Sequence, residues 1–91
     1  MTTRKKAPLI IPAELDDDML SQSEFRVLCH IARRCGAHGA CWENAEAMRK
    51  ICRMEVKTLR YALHMLVLAE WVIEEKRPGL TSIYRIHPKR R

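Results

Sequence analysis

The chain has 91 residues and a net charge of +6, with a pI near 9.5; that is one small basic domain, suited to a polyanionic partner, nucleic acid before membrane. Hydrophobic residues make up 47% but aromatics only 5%, so Leu, Ile, Val and Met must build a modest core, too small for a sizeable enzyme pocket. The absence of any run of about 18 apolar residues excludes a membrane-spanning helix, and the apolar run in MTTRKKAPLIIP is too short for a signal peptide.

Residues 1–8 carry Arg4, Lys5 and Lys6 and no apolar run. They read as a flexible basic arm, which is commonly just a disordered terminus. On DNA such an arm strengthens binding through phosphates or the minor groove. In residues 9–20, Leu9, Ile10 and Ile11 are expected to anchor on the domain or on a second subunit. Pro12 is placed to open a helical turn through Ala13, Glu14 and Leu15. Asp16, Asp17 and Asp18 form a solvated acidic run that belongs away from any DNA-binding surface.

Ser21 begins the first clear helix. Ser21-Gln22-Ser23-Glu24 matches a capping box, with Ser at the cap and Glu three residues on. Phe25, Leu28, Cys29, Ile31 and Ala32 then recur at helical spacing and are expected inside. Gly36 is the expected stop, and Arg33 and Arg34 suit the helix dipole. Residues 36–42 form a connector with an extended piece at Ala40 to Trp42. Four cysteines occur, Cys29, Cys35, Cys41 and Cys52, without a C-x-x-C pair. In a cytoplasmic chain they are expected reduced. Cys35, His38 and Cys41, with Cys29 and His30 upstream, have a spacing that permits zinc. The preferred reading is no metal and no cofactor, with Cys29 and Cys52 as small buried hydrophobes.

Asn44 or Glu43 caps the next helix, from about Ala45 to Cys52, whose apolar members are Ala45, Met48, Ile51 and Cys52. Arg53-Met54-Glu55 is a tight turn into a longer helix at 55–69. There Leu59, Ala62, Leu63, Leu66 and Ala69 fall on one side. Lys57, Tyr61 and His64 fall opposite, flanked by Arg60 and Thr58, with no acid after Glu55. Glu55 sits where a carboxylate favours the dipole and caps amides. Such a polar face suits phosphates and base edges; the plainer alternative is an ordinary amphipathic helix with a chance basic face. Leu68, also outward, hints at contact with the hairpin that follows or with a partner subunit. Two short helices joined by about three residues, the second basic outside, make a helix-turn-helix arrangement.

After Ala69 the period changes. Trp71-Val72-Ile73 is strand-like and Arg77-Pro78-Gly79 signals a turn. Ser82 to His87 is a second strand, with Tyr84 and Ile86 on one face. The result is a β-hairpin with its loop near Arg77 to Thr81. Lys89-Arg90-Arg91 reads as a basic tail outside a domain at 9–88.

This order resembles the winged helix-turn-helix domains of bacterial transcription regulators. More narrowly, it resembles the small ones of plasmid and phage replication initiators and their regulators. The match is carried by IPAELDDDMLSQSEFRVLCHIA, by Met48 and Met54 flanking the turn, by Thr58-Leu59 and Leu66, and by RPGLTSIYRI as the wing. The implied fold class is mainly α with a small β-hairpin. The resemblance implies that Val56, Lys57, Thr58, Arg60 and Tyr61 enter the major groove, with His64 nearer the backbone. Arg77, Leu80, Thr81 and Ser82 would lie on or near the wing tip, at a phosphate or the minor groove. Three positions depart from the pattern. Arg49 stands where such domains usually have a small residue, Arg53 where the turn usually has glycine, and Glu70 where glycine often precedes the first wing strand. A left-handed Arg53 costs about 1 kcal/mol. Arg49 and Arg53 are instead placed to add phosphate contacts.

The expectation is therefore a sequence-specific double-stranded DNA-binding protein acting as a transcriptional regulator, cytoplasmic and nucleoid-associated. Lys57 and Arg60 are the candidates for guanine, while Tyr61, His64 and Thr58 can meet phosphates or bases. Arg4, Lys5, Lys6, Arg77, Lys89, Arg90 and Arg91 add attraction independent of sequence. A homodimer, formed through residues 9–20 and the first helix, would read a palindrome. The alternatives are an accessory DNA-binding factor in plasmid or phage replication or partition, and a winged-helix interaction adaptor. The adaptor needs an apolar outer face, which only Leu68 and Val56 offer. No catalytic constellation is present, so an enzyme is not expected.

Overall fold

In a computed structural model of the chain, Ala13, Leu15 and residues 19–90 are described. The basic arm at 1–8, the anchor at 9–11, Pro12, Glu14, the acidic run at 16–18 and residue 91 lie outside the described residues; of the two segments expected to dimerise, the first helix is described but 9–20 only at Ala13, Leu15, Met19 and Leu20. The described chain is mainly helical with one two-stranded antiparallel hairpin. Helix α1 is Gln22–His38, α2 is Ala45–Cys52 and α3 is Val56–Leu68; strand β1 is Val72–Arg77 and β2 is Leu80–Ile86. A 3-10 turn at Pro88–Arg90 follows. None of the described helices is long and apolar enough to cross a membrane.

The capping box forms at the start of α1. Glu24 N–H donates to Ser21 Oγ and Ser21 N–H donates to the Glu24 carboxylate, both at 3.1 Å, so two otherwise unpaired amides are satisfied. The helix passes through Gly36 and stops at Gly39, whose φ of 81° is left-handed and whose N–H donates to the Cys35 carbonyl at 2.7 Å. The stop is set by the glycine that can reverse the chain, not by the first one met. The inward face also differs from expectation. Val27, Leu28, His30 and Ile31 are buried, while Phe25, Cys29 and Ala32 are exposed. The segment FRVLCHIA carries apolar residues in two helical phases. Burial of His30 against the Glu43 carboxylate, just before α2, accompanies the second phase.

Helix α2 has the expected bounds. Asn44 is its cap, with Oδ1 accepting from Ala47 N–H at 2.8 Å. Met48 and Cys52 are buried, but Ile51 is exposed. Arg53 ends the helix at φ 58° and ψ 54°, the left-handed conformation for which glycine is better suited. Its N–H donates to the Arg49 and Lys50 carbonyls, so the strain is held by helix-ending hydrogen bonds.

Helix α3 buries Leu59, Ala62, Leu63 and Leu66, as its periodicity requires. Ala69 lies just past the helix end and is exposed. Glu55 occupies the cap position with extended backbone but makes no side-chain cap bond, so of its two expected roles the structure leaves the favourable charge at the helix start. The core is shared by α1, α2, α3 and the root of the hairpin, where Trp71 and Val72 join it.

The strands pair from Val72↔Ile86 to Arg77↔Leu80, with an irregularity between Glu75 and Arg77. Only Pro78 and Gly79 form the turn, and Gly79 has φ 72°. Proline followed by a positive-φ glycine is the pairing that closes a tight turn, so the loop is shorter than the expected Arg77 to Thr81. The extended piece at Cys41 pairs with the hairpin: Cys41 N–H donates to the Tyr84 carbonyl at 2.8 Å and Tyr84 N–H donates back at 3.0 Å. Lys89 and Arg90, read as part of a tail, are tied down instead. Lys89 Nζ lies 2.6 Å from the Glu70 carboxylate. Arg90 stacks 3.8 Å from the Trp71 ring centre and donates to the Ala69 and Glu70 carbonyls. Glu70 holds φ 61° at this junction.

Candidate nucleic-acid interface

The residues expected to face outward on α3 do so. Lys57, Thr58, Arg60, Tyr61 and His64 are exposed and Val56 is half-buried. Tyr61 and Leu68 are each 62% exposed. At about 100° per residue, Lys57, Tyr61, His64 and Leu68 form one row directly opposite the buried Leu59, Ala62, Leu63 and Leu66. Helix α3 carries no acidic residue. Among the described residues, no acid lies within ion-pair distance of Arg53, Lys57 or Arg60. Uncompensated cations on an exposed helical face are the electrostatic setting in which an anion is bound without first breaking an internal pair.

Arg49 is in a different state. Its guanidinium donates to the Glu46 carboxylate at 2.7 and 3.1 Å, and Lys50 approaches the same carboxylate at 3.9 Å. That hydrogen bond from Arg49 holds the Glu46 carboxyl below its ordinary range. A phosphate would have to compete with Glu46 for Arg49, whereas Arg53 has no such rival among the described residues.

The hairpin residues are also engaged. Arg77 Nε and Nη2 donate to the Thr81 carbonyl at 2.8 and 2.6 Å. Its guanidinium lies 5.5 Å from the centre of the Trp42 ring. Ser82 Oγ donates to the Glu74 carboxylate at 2.9 Å, and Tyr84 OH donates to the same oxygen at 3.4 Å. Burial, reinforced by the Glu74 charge, pushes the Tyr84 phenol up to about 12. Ser82 is thus committed within the hairpin, and Thr81 is half-buried and offers its carbonyl to Arg77. Leu80, beside the turn, is 65% exposed.

Between α3 and the hairpin runs a groove of about 450 Å³, with Arg60, His64 and Lys76 around an apolar lining of Leu63, Val67 and Leu68, and with Glu74 beside them. A smaller recess of about 230 Å³ links Asn44, Arg60, Glu74, Thr81 and Ser82. Arg60 borders both. Sequence reasoning missed Trp42, Glu74 and Lys76. The register supplies the signal for Glu74: it pairs with Tyr84, and alternation puts Lys76 and Ser82 on the same side. Trp42 follows from Cys41, whose bridge to Tyr84 sets the next residue beside the hairpin.

The spacing of Cys35, His38 and Cys41 does not gather those side chains. Among the described residues, the trio with ligand atoms within 4.8 Å of one another is His30, Cys41 and Glu43. His30 Nε2 lies 2.6 Å from Glu43 Oε1, and Arg34 Nη2 lies 2.6 Å from Glu43 Oε2. Cys41 Sγ is 3.9 Å from the same carboxylate. Burial opposes the charge on Glu43, but the hydrogen bonds and charges of His30 and Arg34 outweigh it and hold the carboxyl below its ordinary range. Burial pushes the Cys41 thiol up, so it stays protonated. The donor set is of a kind that divalent zinc accepts, yet both oxygens of Glu43 already have partners. The trio joins α1 to residues 41–43, and Glu43 also borders the recess that Arg60 lines. All four cysteines are free thiols.

Comparison with known protein families, with curated proteins and with solved structures finds no match to this chain. Charge and geometry are what bear on the role of this surface.

Proposed function

We propose that the chain is a winged helix-turn-helix protein that binds double-stranded DNA sequence-specifically and acts as a transcriptional regulator. In this reading α2, the turn 53–55 and α3 form the helix-turn-helix, and β1 and β2 form the wing. The observation that carries it is the exposed row Lys57, Tyr61 and His64 on α3, flanked by Arg60 and without an internal acid. A single α-helix fits the B-DNA major groove, where each base pair presents its own donors and acceptors. Lys57 and Arg60 suit guanine O6 and N7; Thr58, Tyr61 and His64 suit phosphates or base edges. Arg53 adds a phosphate contact at the turn. Pairing of two copies on an inverted repeat extends the short site that one domain can cover.

Two features weigh against an adaptor role. Val56 is half-buried, which leaves Leu68 as the one strongly exposed aliphatic residue on the α3 face. The rest of that face is polar or cationic. The test is selection of bound fragments from a random duplex library at low salt, followed by anisotropy titration of the enriched site. A recovered motif with half-sites about 10 base pairs apart supports a dimeric reader. No enrichment, together with no duplex binding at low ionic strength, overturns the proposal.

A further inference from the structure

Trp42 is 53% exposed, although an indole is among the largest apolar groups a side chain carries. Its backbone position is fixed by the Cys41–Tyr84 bridge on one side and by the α2 cap at Asn44 on the other. The Arg77 guanidinium stands over the ring, and two hydrogen bonds to the Thr81 carbonyl hold that guanidinium in place. Among the described residues no carboxylate pairs with Arg77, so its charge is not cancelled locally. Thr81 also borders the recess that holds Arg60, which makes the surface continuous with α3.

Resting on the DNA-binding reading, we infer that Trp42 and Arg77 form a rigid platform for the sugar–phosphate backbone of the bound duplex. The exposed indole packs against a deoxyribose, and the guanidinium faces the adjoining phosphate. An aromatic ring gives large contact area with little rotamer entropy to lose. An arginine already fixed by its own hydrogen bonds loses less freedom on meeting a phosphate than a free one. Neither group needs a base edge, so the contact is independent of sequence.

The two tryptophans separate the test cleanly, because Trp71 is buried beneath Arg90 and Trp42 is not. Anisotropy of a labelled duplex reports binding while acrylamide quenching of the unmodified protein reports Trp42 exposure. The expected result is shielding of Trp42 as the duplex saturates, absent in Trp42→Phe because the reporter is gone. Trp42→Ala should weaken specific and unrelated duplexes alike, on the order of five-fold, while Trp42→Phe keeps the ring and most of the affinity. Saturated duplex binding with unchanged Trp42 quenching overturns the platform and leaves the DNA reading standing. So does wild-type affinity in Trp42→Ala. Equal shielding by a single-stranded oligonucleotide at equal occupancy overturns the duplex seat in favour of base stacking. Absence of any duplex binding by anisotropy removes both readings.

Discussion

The imidazole of His30, 2% exposed, meets the carboxylate of Glu43 at 2.6 Å and so joins α1 to the chain just before α2. Arg34 holds the second oxygen at 2.6 Å. Because the Glu43 carboxyl sits below its ordinary range in the folded protein, the stability it contributes is present above the unfolded carboxylate value, about 4.3. It is lost as pH falls through the lower folded value. Glu43→Gln should destabilise the protein at neutral pH by about 1–3 kcal/mol, since His30 and Arg34 lose a charged acceptor. Urea unfolding across pH should also show a shallower acid limb in the variant. An unchanged acid limb would show that this network does not govern acid stability.

Arg53 carries positive φ at the end of α2. Arg53→Gly should relieve the left-handed strain and raise stability by about 0.5–1 kcal/mol in denaturant unfolding. The same variant should lose duplex affinity and salt dependence if Arg53 meets a phosphate. A gain in stability without any change in the salt slope would remove Arg53 from the interface.

Lys57 and Arg60 are exposed and unpaired among the described residues, so alanine at either position should leave the melting temperature nearly unchanged. Each should reduce the slope of log affinity against log salt by about one if it meets a phosphate. If instead it reads guanine, discrimination between specific and unrelated duplexes should fall by about 1–3 kcal/mol. Competition binding at several salt concentrations distinguishes the two roles; unaltered affinity and unaltered slope in both variants would contradict the placement of α3.

Leu59 is fully buried and Ile51 is not. Leu59→Ala should cost about 2–5 kcal/mol through lost packing and the cavity left behind. Ile51→Ala should cost less than about 1 kcal/mol. Chemical denaturation of Ile51→Ala, with Leu59→Ala of α3 as the buried reference, checks the phase of α2 against the one its apolar spacing alone suggests.

Much of the architecture was legible from local chemistry. Ser21 with Glu24, a cap at Asn44 or Glu43 and the apolar side of α3 are short-range signals; they reappear as hydrogen bonds, with Asn44 taking the cap, and as four buried side chains, with Ala69 left outside. The phase of α1 was not legible, because His30 is buried with a partner 13 positions away. No periodicity records that distance. The outward row of α3 was readable for the same reason as its core face: one helix fixes both. The commitments of Arg49 to Glu46 and of Ser82 to Glu74 were less accessible. They depend on rotamers and on strand register, as does the meeting of Trp42 with Arg77.

The stacking of Arg90 on Trp71, with its donation to the carbonyls of Ala69 and Glu70, closes the two strands at their base like a clasp. Together with the Cys41–Tyr84 bridge, it ties the hairpin to the helical part of the chain at two places. Cutting the clasp, by Arg90→Ala, should therefore loosen the base of the hairpin, read as faster amide exchange at Val72 and Ile86, before it unravels either strand.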